Sequence, residues 1–233
     1  MDHIVVPSSQ VWIIIPAHNE EKMIGQVLAD LLPYSYHILV VDDGSTDQTL
    51  QAALQYPVTV LRHVTNLGQG AALQTGIRYA LASPEARLIV TFDADGQHRA
   101  SDLPRLLKTC LEGHYDVVLG SRFIESGQAL NMPQAKRIVL KLAIWFTRLN
   151  TGLKLTDTHN GLRVMTAEAA RKIQITQNGM AHASELLAQI AAKKLRFCEV
   201  PVIISYSDYS MQKGQSLLNI INILWDMWIG YMR

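Results

Sequence analysis

The chain has 233 residues, of which 48% are hydrophobic and 18% are charged, and its formal net charge is +1. This composition suits one large globular domain or two small ones, and the absence of a basic stripe argues against a nucleic-acid partner. Cys110 and Cys198 lie in apolar segments, as is typical of buried thiols in a reducing compartment. The sequence shows no secretory signal and no apolar run of the ~20 residues that a membrane span needs, so we expect a cytoplasmic protein.

Short β-rich segments alternate with helical patterns through the first half of the chain. The first predicted strand, residues 11–16, is an unbroken apolar run, as expected where both faces of a strand are covered. The helix after it carries apolar side chains at i, i+3, i+4 and i+7 from Ile24. Further strands are predicted at residues 37–43, 58–63, 87–95 and 116–122, and further helices at 47–55, 70–81 and 102–113. This order predicts an α/β fold with a mainly parallel sheet and helices on both faces.

The second half of the chain is less regular. Its predicted elements are a basic amphipathic helix, a short strand, a helix and a longer strand, at residues 134–150, 162–166, 182–193 and 195–206. No repeat or linker divides the chain, so we expect one domain over residues 1–213. Residues 214–233 form a predicted apolar, amphipathic helix for contact with a membrane, a partner protein or a second copy.

Polar clusters follow four of the predicted strands. They are His18-Asn19-Glu20, Asp42-Asp43, Asp93-Asp95 and Ser121-Arg122. Ligands of parallel sheets bind beyond the carboxyl ends of the strands. Four separate strands therefore direct polar side chains to one edge of the predicted sheet, which makes that edge the candidate site.

Asp93 and Asp95, with Gln97 close behind them, are the candidate metal ligands. Mg²⁺ and Mn²⁺ prefer oxygen ligands and often bridge protein carboxylates to substrate phosphates. An isolated Asp-x-Asp pair more often marks a turn. Because this pair follows a buried strand and accompanies the other clusters, we favour a metal that holds a diphosphate.

Gly68 and Gly70 precede a predicted helix. The pair indicates either a tight entry into the helix or a close approach of the backbone to a ligand. Its spacing matches neither the dinucleotide-binding fingerprint nor a phosphate loop, which argues against an oxidoreductase and a nucleoside triphosphatase. The histidines show no zinc-site spacing either.

A diphosphate needs cations besides a metal. Arg122 follows a predicted strand, and Lys213 lies in a glycine-containing segment that could close over the site. We interpret Arg163 as a solvated surface residue, the usual state of a single arginine.

The candidate general bases are Asp157, His159 and Glu185. An alcohol acceptor needs such a base, whereas a phosphate acceptor is already ionised and hardly does. Glu185 also lies near a predicted helix start, where a carboxylate stabilises the helix dipole, so both interpretations stay open.

The basic stretch at residues 134–150 is amphipathic. Arg137, Lys141 and Arg148 fall on one helical face, and Trp145 and its apolar neighbours lie away from it. Basic amphipathic helices with Trp often lie in a membrane interface. The alternative is packing on the core or against another chain.

Together these motifs resemble the inverting family 2 glycosyltransferases of GT-A fold, and most of all their dolichol-phosphate mannose synthase and polyprenyl-phosphate glycosyltransferase branch. The resemblance covers about residues 10–215 in family order. It rests on IIIPAHNE, VVDDGSTDQT, NLGQGAALQTGI, FDADGQH, LGSRF, DTHNGLRVM and EVPVIISY.

The resemblance implies a role for each matching position. Contacts to the nucleotide sugar are implied for Pro16, His18, Glu20, Val41, Asp43, Asp93, Ala94 and Gln97, and metal binding for Asp93, Asp95 and Gln97. Catalytic roles are implied for Asp95, Arg122, Asp157 and Glu185, where Arg122 meets a phosphate and Glu185 aligns with the base of many relatives. Lys213 stands in for an arginine that relatives often carry.

The implied activity is the metal-dependent, inverting transfer of a sugar from a nucleotide-diphosphate sugar, with Mg²⁺ or Mn²⁺ as cofactor. The implied acceptor is a polyprenyl phosphate or another cell-surface glycan precursor. Relatives often have C-terminal membrane helices that this sequence lacks, so we expect peripheral attachment at the cytoplasmic face of the membrane, a membrane-protein partner or a soluble acceptor. A homodimer through the last helix is a further alternative.

Two other functions fit the sequence less well. A regulatory subunit that only binds a sugar nucleotide would not need the complete carboxylate set. A sugar-phosphate nucleotidyltransferase would need a glycine-rich triphosphate loop near the first strand, and PAHNEEKMIG does not supply one.

Overall fold

The computed structural model describes residues 7–207 and residue 209. Its strands are β1 (Val11–Ala17), β2 (His37–Asp42), β3 (Thr59–Arg62), β4 (Leu88–Thr91), β5 (Val117–Ser121), β6 (Gln128–Leu130), β7 (Arg163–Thr166), β8 (Phe197–Pro201) and β9 (Ile203–Ser205). Its α-helices are α1 (Ile24–Leu31), α2 (Thr49–Ala53), α3 (Gln69–Leu81), α4 (Leu103–Glu112), α5 (Gln134–Thr151), α6 (Ala167–Lys172) and α7 (His182–Ala192). The predicted helix at residues 214–233 and Lys213 lie outside the described residues.

Seven strands form one sheet in the order β3-β2-β1-β4-β7-β5-β8. All neighbours are parallel except β7, which runs antiparallel between β4 and β5. The prediction of a mainly parallel sheet is confirmed. Because β7 runs in the opposite direction, its first residue lies at the edge where β4 and β5 end.

Apolar side chains cover both faces of this sheet. Ile13 and Ile15 of β1 belong to a core cluster with α1 and α4, whereas Ile14 packs in a second cluster with α3 and α7. Every residue of β1 is buried, as predicted for a strand covered on both sides. Full burial of each such side chain contributes about 1.5–3 kcal/mol to folding.

Two predicted strands have different bounds in the structure. The strand predicted at residues 87–95 ends at Thr91, so the two aspartates lie in a turn beyond it, where Gly96 adopts φ +74°. The strand predicted at residues 195–206 is divided into β8 and β9, and β9 pairs with β6 in a separate two-stranded sheet. The division falls after Pro201, where the Val202 N–H still donates to Ser121 of β5 and the Val202 carbonyl accepts from Gln128 of β6.

Among residues 7–207 and 209, no helix combines the length and the hydropathy needed to cross a membrane.

The packing of α3 on β1 depends on Gly76. A Cβ at this position would overlap the side chain of Ile14. Alanine normally stabilises a helix interior by about 1 kcal/mol relative to glycine. We expect Gly76→Ala instead to lower the free energy of unfolding by about 1–3 kcal/mol because of overpacking, as measured by urea denaturation.

The matched control is Gly25→Ala in α1, where the nearest atom is the flexible tip of Tyr56 at 3.1 Å. This variant should be neutral or slightly stabilised. Equal stability of the two variants would contradict the proposed close contact of α3 with β1.

Candidate active site

The four polar clusters lie at one edge of the sheet, as predicted. β1, β2, β4 and β5 all run in the same direction, so their carboxyl ends share that edge. The loops after β1 and β2 are tied together there. His18 Nδ1 lies 2.9 Å from the carbonyl oxygen of Asp43, and the Glu20 N–H donates to Thr49 Oγ1 at 2.6 Å. Pro16 and Val41 are paired in register just inside this edge, and both are buried.

Asp43 anchors the loop before α3. Its buried carboxylate accepts hydrogen bonds from the N–H groups of Leu67 and Gly68, at 2.9 and 2.7 Å, and lies 2.7 Å from His63 Nδ1. Both carboxylate oxygens are therefore engaged within the protein. Its contact with a base or ribose stays a prediction.

The glycine pair at the start of α3, Gly68 and Gly70, packs against the backbone of residues 177–178. A Cβ on Gly68 or Gly70 would overlap the carbonyl oxygens of Asn178 or Gln177, and the Gly70 N–H donates to Asn178 O at 2.7 Å. The glycines thus leave room for the backbone of residues 177–178 at the entry into α3, and a close approach of this backbone to a ligand stays a prediction.

Asp93 is held by three segments of the chain. Gln69 Nε2, in α3, donates to Oδ1 at 3.0 Å, and His98 Nε2 lies 2.9 Å from Oδ2. The backbone of Gly161 lies so close that a Cβ there would overlap this carboxylate. Burial alone would raise the pKa of Asp93, but the hydrogen bond and charge of His98, with the charge of Arg163, lower it on balance.

Asp95 lies in the same turn, two residues beyond Asp93 and with the buried Ala94 between them. Its Oδ1 accepts a hydrogen bond from the Gln97 N–H at 3.0 Å, while the Gln97 carbonyl accepts from Ser205. Burial and the neighbouring charge of Asp93 raise the pKa of Asp95 to about 6. The turn therefore concentrates negative charge in a position with little solvent.

This donor set fits a divalent cation that is also bound by substrate. The described residues contain no group of three acidic, histidine or cysteine side chains that could hold a metal on their own. Mg²⁺ and Mn²⁺ are commonly bound by one or two carboxylates together with substrate phosphates. Two partly desolvated carboxylates in one turn meet that requirement, with Gln97 next to them.

Arg122 and Asp157 form a buried ion pair. Arg122 Nε donates to Asp157 Oδ2 at 2.6 Å, Nη2 donates to the His159 carbonyl at 2.8 Å, and Nη1 donates to the Tyr206 hydroxyl. Burial opposes the charge of Arg122, but Asp157 and Tyr206 raise its pKa above the usual range. The structure thus brings two predicted site residues together and engages most of the guanidinium within the protein.

The interpretation of Arg163 as a solvated surface residue is wrong. This residue opens β7 and is only 3% exposed. Since β7 begins at the edge where its antiparallel neighbours end, the side chain lies close to the charges of Asp93 and Asp157. The sequence feature that could have indicated the burial of Arg163 is its position at the start of an apolar strand.

The carboxylate of Glu185 is engaged by a loop. It accepts hydrogen bonds from the N–H groups of Thr176 and Gln177, at 3.0 and 2.9 Å, and from the Thr176 hydroxyl. This loop continues into the segment that contacts Gly68 and Gly70. These bonds favour a structural role for Glu185 over the role of base that the resemblance implies.

Lys136 and two tyrosines also lie at this edge and were not found from the sequence. Lys136 Nζ lies 4.5 Å from the ring centroid of Tyr206, and Tyr209 donates to Glu20 Oε2 at 2.9 Å. Burial and the charge of Arg122 lower the pKa of Lys136, while Asp95 raises it. The charge of Lys136 therefore interacts with both Asp95 and Arg122.

The profile of the family described as "Glycosyl transferase family 2" matches residues 12–174. The chain belongs to glycosyl transferase family 2. This match begins in β1, includes the aspartate turn and ends after β7. The family membership and the enzyme class implied by the sequence motifs are confirmed, and the protein is a family 2 glycosyltransferase.

Relatives of this glycosyltransferase match nearly the whole chain. A UDP-N-acetylglucosamine–dolichyl-phosphate N-acetylglucosaminyltransferase of Methanococcus voltae is 32% identical over 228 residues, covering 89% of this chain and 90% of the relative. An undecaprenyl-phosphate mannosyltransferase of Micrococcus luteus is 31% identical, covering 91% and 92%.

The fold also matches solved structures. Glucosyl-3-phosphoglycerate synthase of Mycobacterium tuberculosis, in complex with Mn²⁺, UDP-glucose and phosphoglyceric acid, superposes with a TM-score of 0.69 at 18% identity. The match covers 92% of this glycosyltransferase and 76% of that chain. The GT-A fold is thereby confirmed.

The hydrogen bonds of Glu185 generate a test of its role. We expect Glu185→Gln to lower the free energy of unfolding by about 1–2 kcal/mol, because an amide group would replace one of the two acceptor oxygens. Turnover should stay within a few-fold of the wild type. Urea denaturation and steady-state kinetics measure the two effects.

The matched control is Glu168→Gln, which also removes an acid from the first turn of a helix, α6, and so corrects for the helix dipole. A loss of turnover of roughly hundred-fold without any loss of stability would instead support the role of Glu185 as a base.

Proposed function

We propose that this glycosyltransferase moves a hexose from a nucleotide-diphosphate sugar to a polyprenyl phosphate, with inversion at the anomeric carbon. An oxygen of the acceptor phosphate forms the new bond to that carbon while the bond to the diphosphate breaks, and a nucleoside diphosphate leaves. The observation that carries the proposal is the aspartate turn beyond β4, together with Lys136, a half-buried cation close enough to Asp95 for their charges to interact. The two curated relatives, whose names specify polyprenyl-phosphate acceptors, support the same acceptor class.

The donor's diphosphate is assigned to the aspartate turn. Asp93 is fixed by Gln69, His98 and the close backbone of Gly161, so its carboxylate is held in place before substrate arrives. Asp95 and Gln97 would complete the set that holds Mg²⁺ or Mn²⁺. When bound, the metal would neutralise the charge that develops on the leaving diphosphate.

The acceptor's phosphate is assigned to Lys136. This residue lies in the first turn of α5, where the helix dipole disfavours a cation. Its ammonium group has no hydrogen bond or ion pair with any residue that the structure describes. An unpaired, half-buried cation near the aspartate turn is suited to an anionic acceptor, and such an acceptor needs no general base.

The exposed face of α5 supports a membrane-bound acceptor. Ile138, Leu142, Trp145 and Leu149 form a stripe along α5, and each is between 54% and 63% exposed. Every charged residue of α5 is basic. An apolar stripe that contains Trp on a basic helix is typical of binding at an anionic lipid surface, which would place the enzyme peripherally at the membrane.

Asp95→Asn tests the metal assignment. We expect Mn²⁺-dependent turnover to fall roughly hundred-fold or more, because the variant loses a charged ligand of the metal. The assay pairs UDP-glucose, UDP-N-acetylglucosamine and GDP-mannose in turn with a polyprenyl phosphate. Asp30→Asn, an exposed change in α1, is the matched control. Full Mn²⁺-dependent activity of Asp95→Asn would rule out the metal assignment.

The stripe on α5 generates a second test. We expect the double variant Leu142→Ser, Trp145→Ser to bind vesicles that contain an anionic phospholipid about ten-fold more weakly, since two apolar contacts are lost. Vesicle sedimentation measures the bound fraction. The control, Leu54→Ser with Val64→Ser, removes exposed apolar groups elsewhere. Equal binding of both double variants, or a change in oligomeric state instead, would contradict the membrane assignment.

A further inference from the structure

Arg163 is a buried cation without a hydrogen-bond partner. Its Nη1 is inaccessible to solvent, and none of its side-chain donors bonds to any residue that the structure describes. A guanidinium carries five N–H donors, and leaving them unpaired inside a protein is strongly unfavourable. Arg122, also buried, donates to Asp157, His159 and Tyr206. The contrast indicates that the donors of Arg163 are completed by something other than the described chain.

The surroundings of Arg163 contain carboxylates and neutral imidazole rings. Asp93 and Asp157 are the carboxylates that attract it, and burial lowers the pKa of the nearby His159 and His182 to about 4, so both rings are neutral at pH 7. His182 Nδ1 lies 2.8 Å from the Gly179 carbonyl, which leaves Nε2 as a hydrogen-bond acceptor.

Two further contacts connect this region to the aspartate turn. A Cβ on Gly70 would approach the Cβ of His182, and Gln69, the residue before it, donates to Asp93. Gly161, two residues before Arg163, lies against the carboxylate of Asp93. Arg163, His182, Gln69 and Asp93 therefore border one region, which lies on the β7 side of the aspartate turn.

A sugar matches this arrangement better than a phosphate does. Asp93 and His182 present hydrogen-bond acceptors beside the guanidinium, and an ionised phosphate, which itself carries only acceptors, would leave them unmatched. Unpaired N–H donors beside carboxylate and imidazole acceptors instead suit hydroxyl groups, because each hydroxyl both donates and accepts.

We propose that Arg163 is a specificity-determining residue of the donor's sugar subsite, where its guanidinium donates to hydroxyl oxygens of the transferred hexose while Asp93 and His182 accept from them. This assignment rests on the proposed function. It adds that Arg163 recognises the sugar of the donor. It predicts that Arg163 contributes to binding of the sugar and not of the nucleoside diphosphate.

The test compares binding of a sugar nucleotide with binding of its nucleoside diphosphate. Calorimetry with Mn²⁺ uses UDP-glucose, UDP-N-acetylglucosamine and GDP-mannose against UDP or GDP, on the wild type, Arg163→Lys and Arg163→Met. We expect both variants to bind the preferred sugar nucleotide about ten-fold or more weakly, because each loses a charged hydrogen bond to the sugar. Both variants should bind the nucleoside diphosphate as tightly as the wild type does. Arg171→Met is the matched control, since Arg171 is exposed and lines a cavity at the opposite edge of the sheet.

A second measurement compares ligands within each protein, so a difference in stability between the proteins does not affect it. Deoxy analogues of the preferred sugar nucleotide are bound to the wild type and to Arg163→Met, which has no hydrogen-bond donor. At the hydroxyl that Arg163 contacts, removal should weaken binding to the wild type about ten-fold and leave binding to the variant unchanged.

Equal losses for sugar nucleotide and nucleoside diphosphate, or additive effects at every hydroxyl, would overturn the assignment and make Arg163 a structural residue. Binding of no sugar nucleotide to the wild type would overturn the proposed function itself, and the assignment with it. The two failures are therefore distinguishable.

Discussion

The backbone of Gly161 lies in close contact with the carboxylate of Asp93. This contact joins the loop after β4 to the loop before β7 at the edge of the sheet that forms the candidate active site, here called the cleft. Asp93 follows a strand of the parallel half of the sheet, and Gly161 leads into the antiparallel strand β7. A side chain at residue 161 would displace the carboxylate on which α3 and His98 also converge. The position of the aspartate turn, and with it the metal assignment, depends on this one place where a Cβ has no room.

The insertion of β7 also determines which charges meet inside the protein. Because β7 starts where β4 and β5 end, the loop before it delivers Asp157 to Arg122, and the strand delivers Arg163 to the neighbourhood of Asp93. Glu199 supports this loop by accepting from the N–H of Asp157 at 3.0 Å. Charges this deep are tolerated when each has an opposite partner. The charges of Arg122 and Asp157 are thus paired, whereas Arg163 has no hydrogen bond and Lys136 no carboxylate partner among the described residues.

The sequence predicted the fold, and the gathering of the polar clusters at one edge of the sheet, because both depend on patterns that a single chain carries. Buried strands read as unbroken apolar runs, and parallel strands necessarily bring their carboxyl ends to one edge. The partners of each side chain could not be predicted in this way, since they lie far apart in the chain. Glu199 bonds Asp157 across about forty residues, and nothing local to Arg163 indicates that β7 runs between two other strands. Glu185 shows the same limit, because its loop partners follow from the tertiary fold.

The segment from β9 to Tyr209 contacts loops from three other parts of the chain. Ser205 donates to Gln97, Tyr206 accepts from Arg122, and Tyr209 donates to Glu20. These contacts come from residues that are synthesised after nearly all of the sheet. One short segment therefore connects three separate loops of the cleft, and it follows every strand of the seven-stranded sheet in the sequence. A break in the chain after β8 would remove all three contacts at once while every strand of that sheet stayed in the chain.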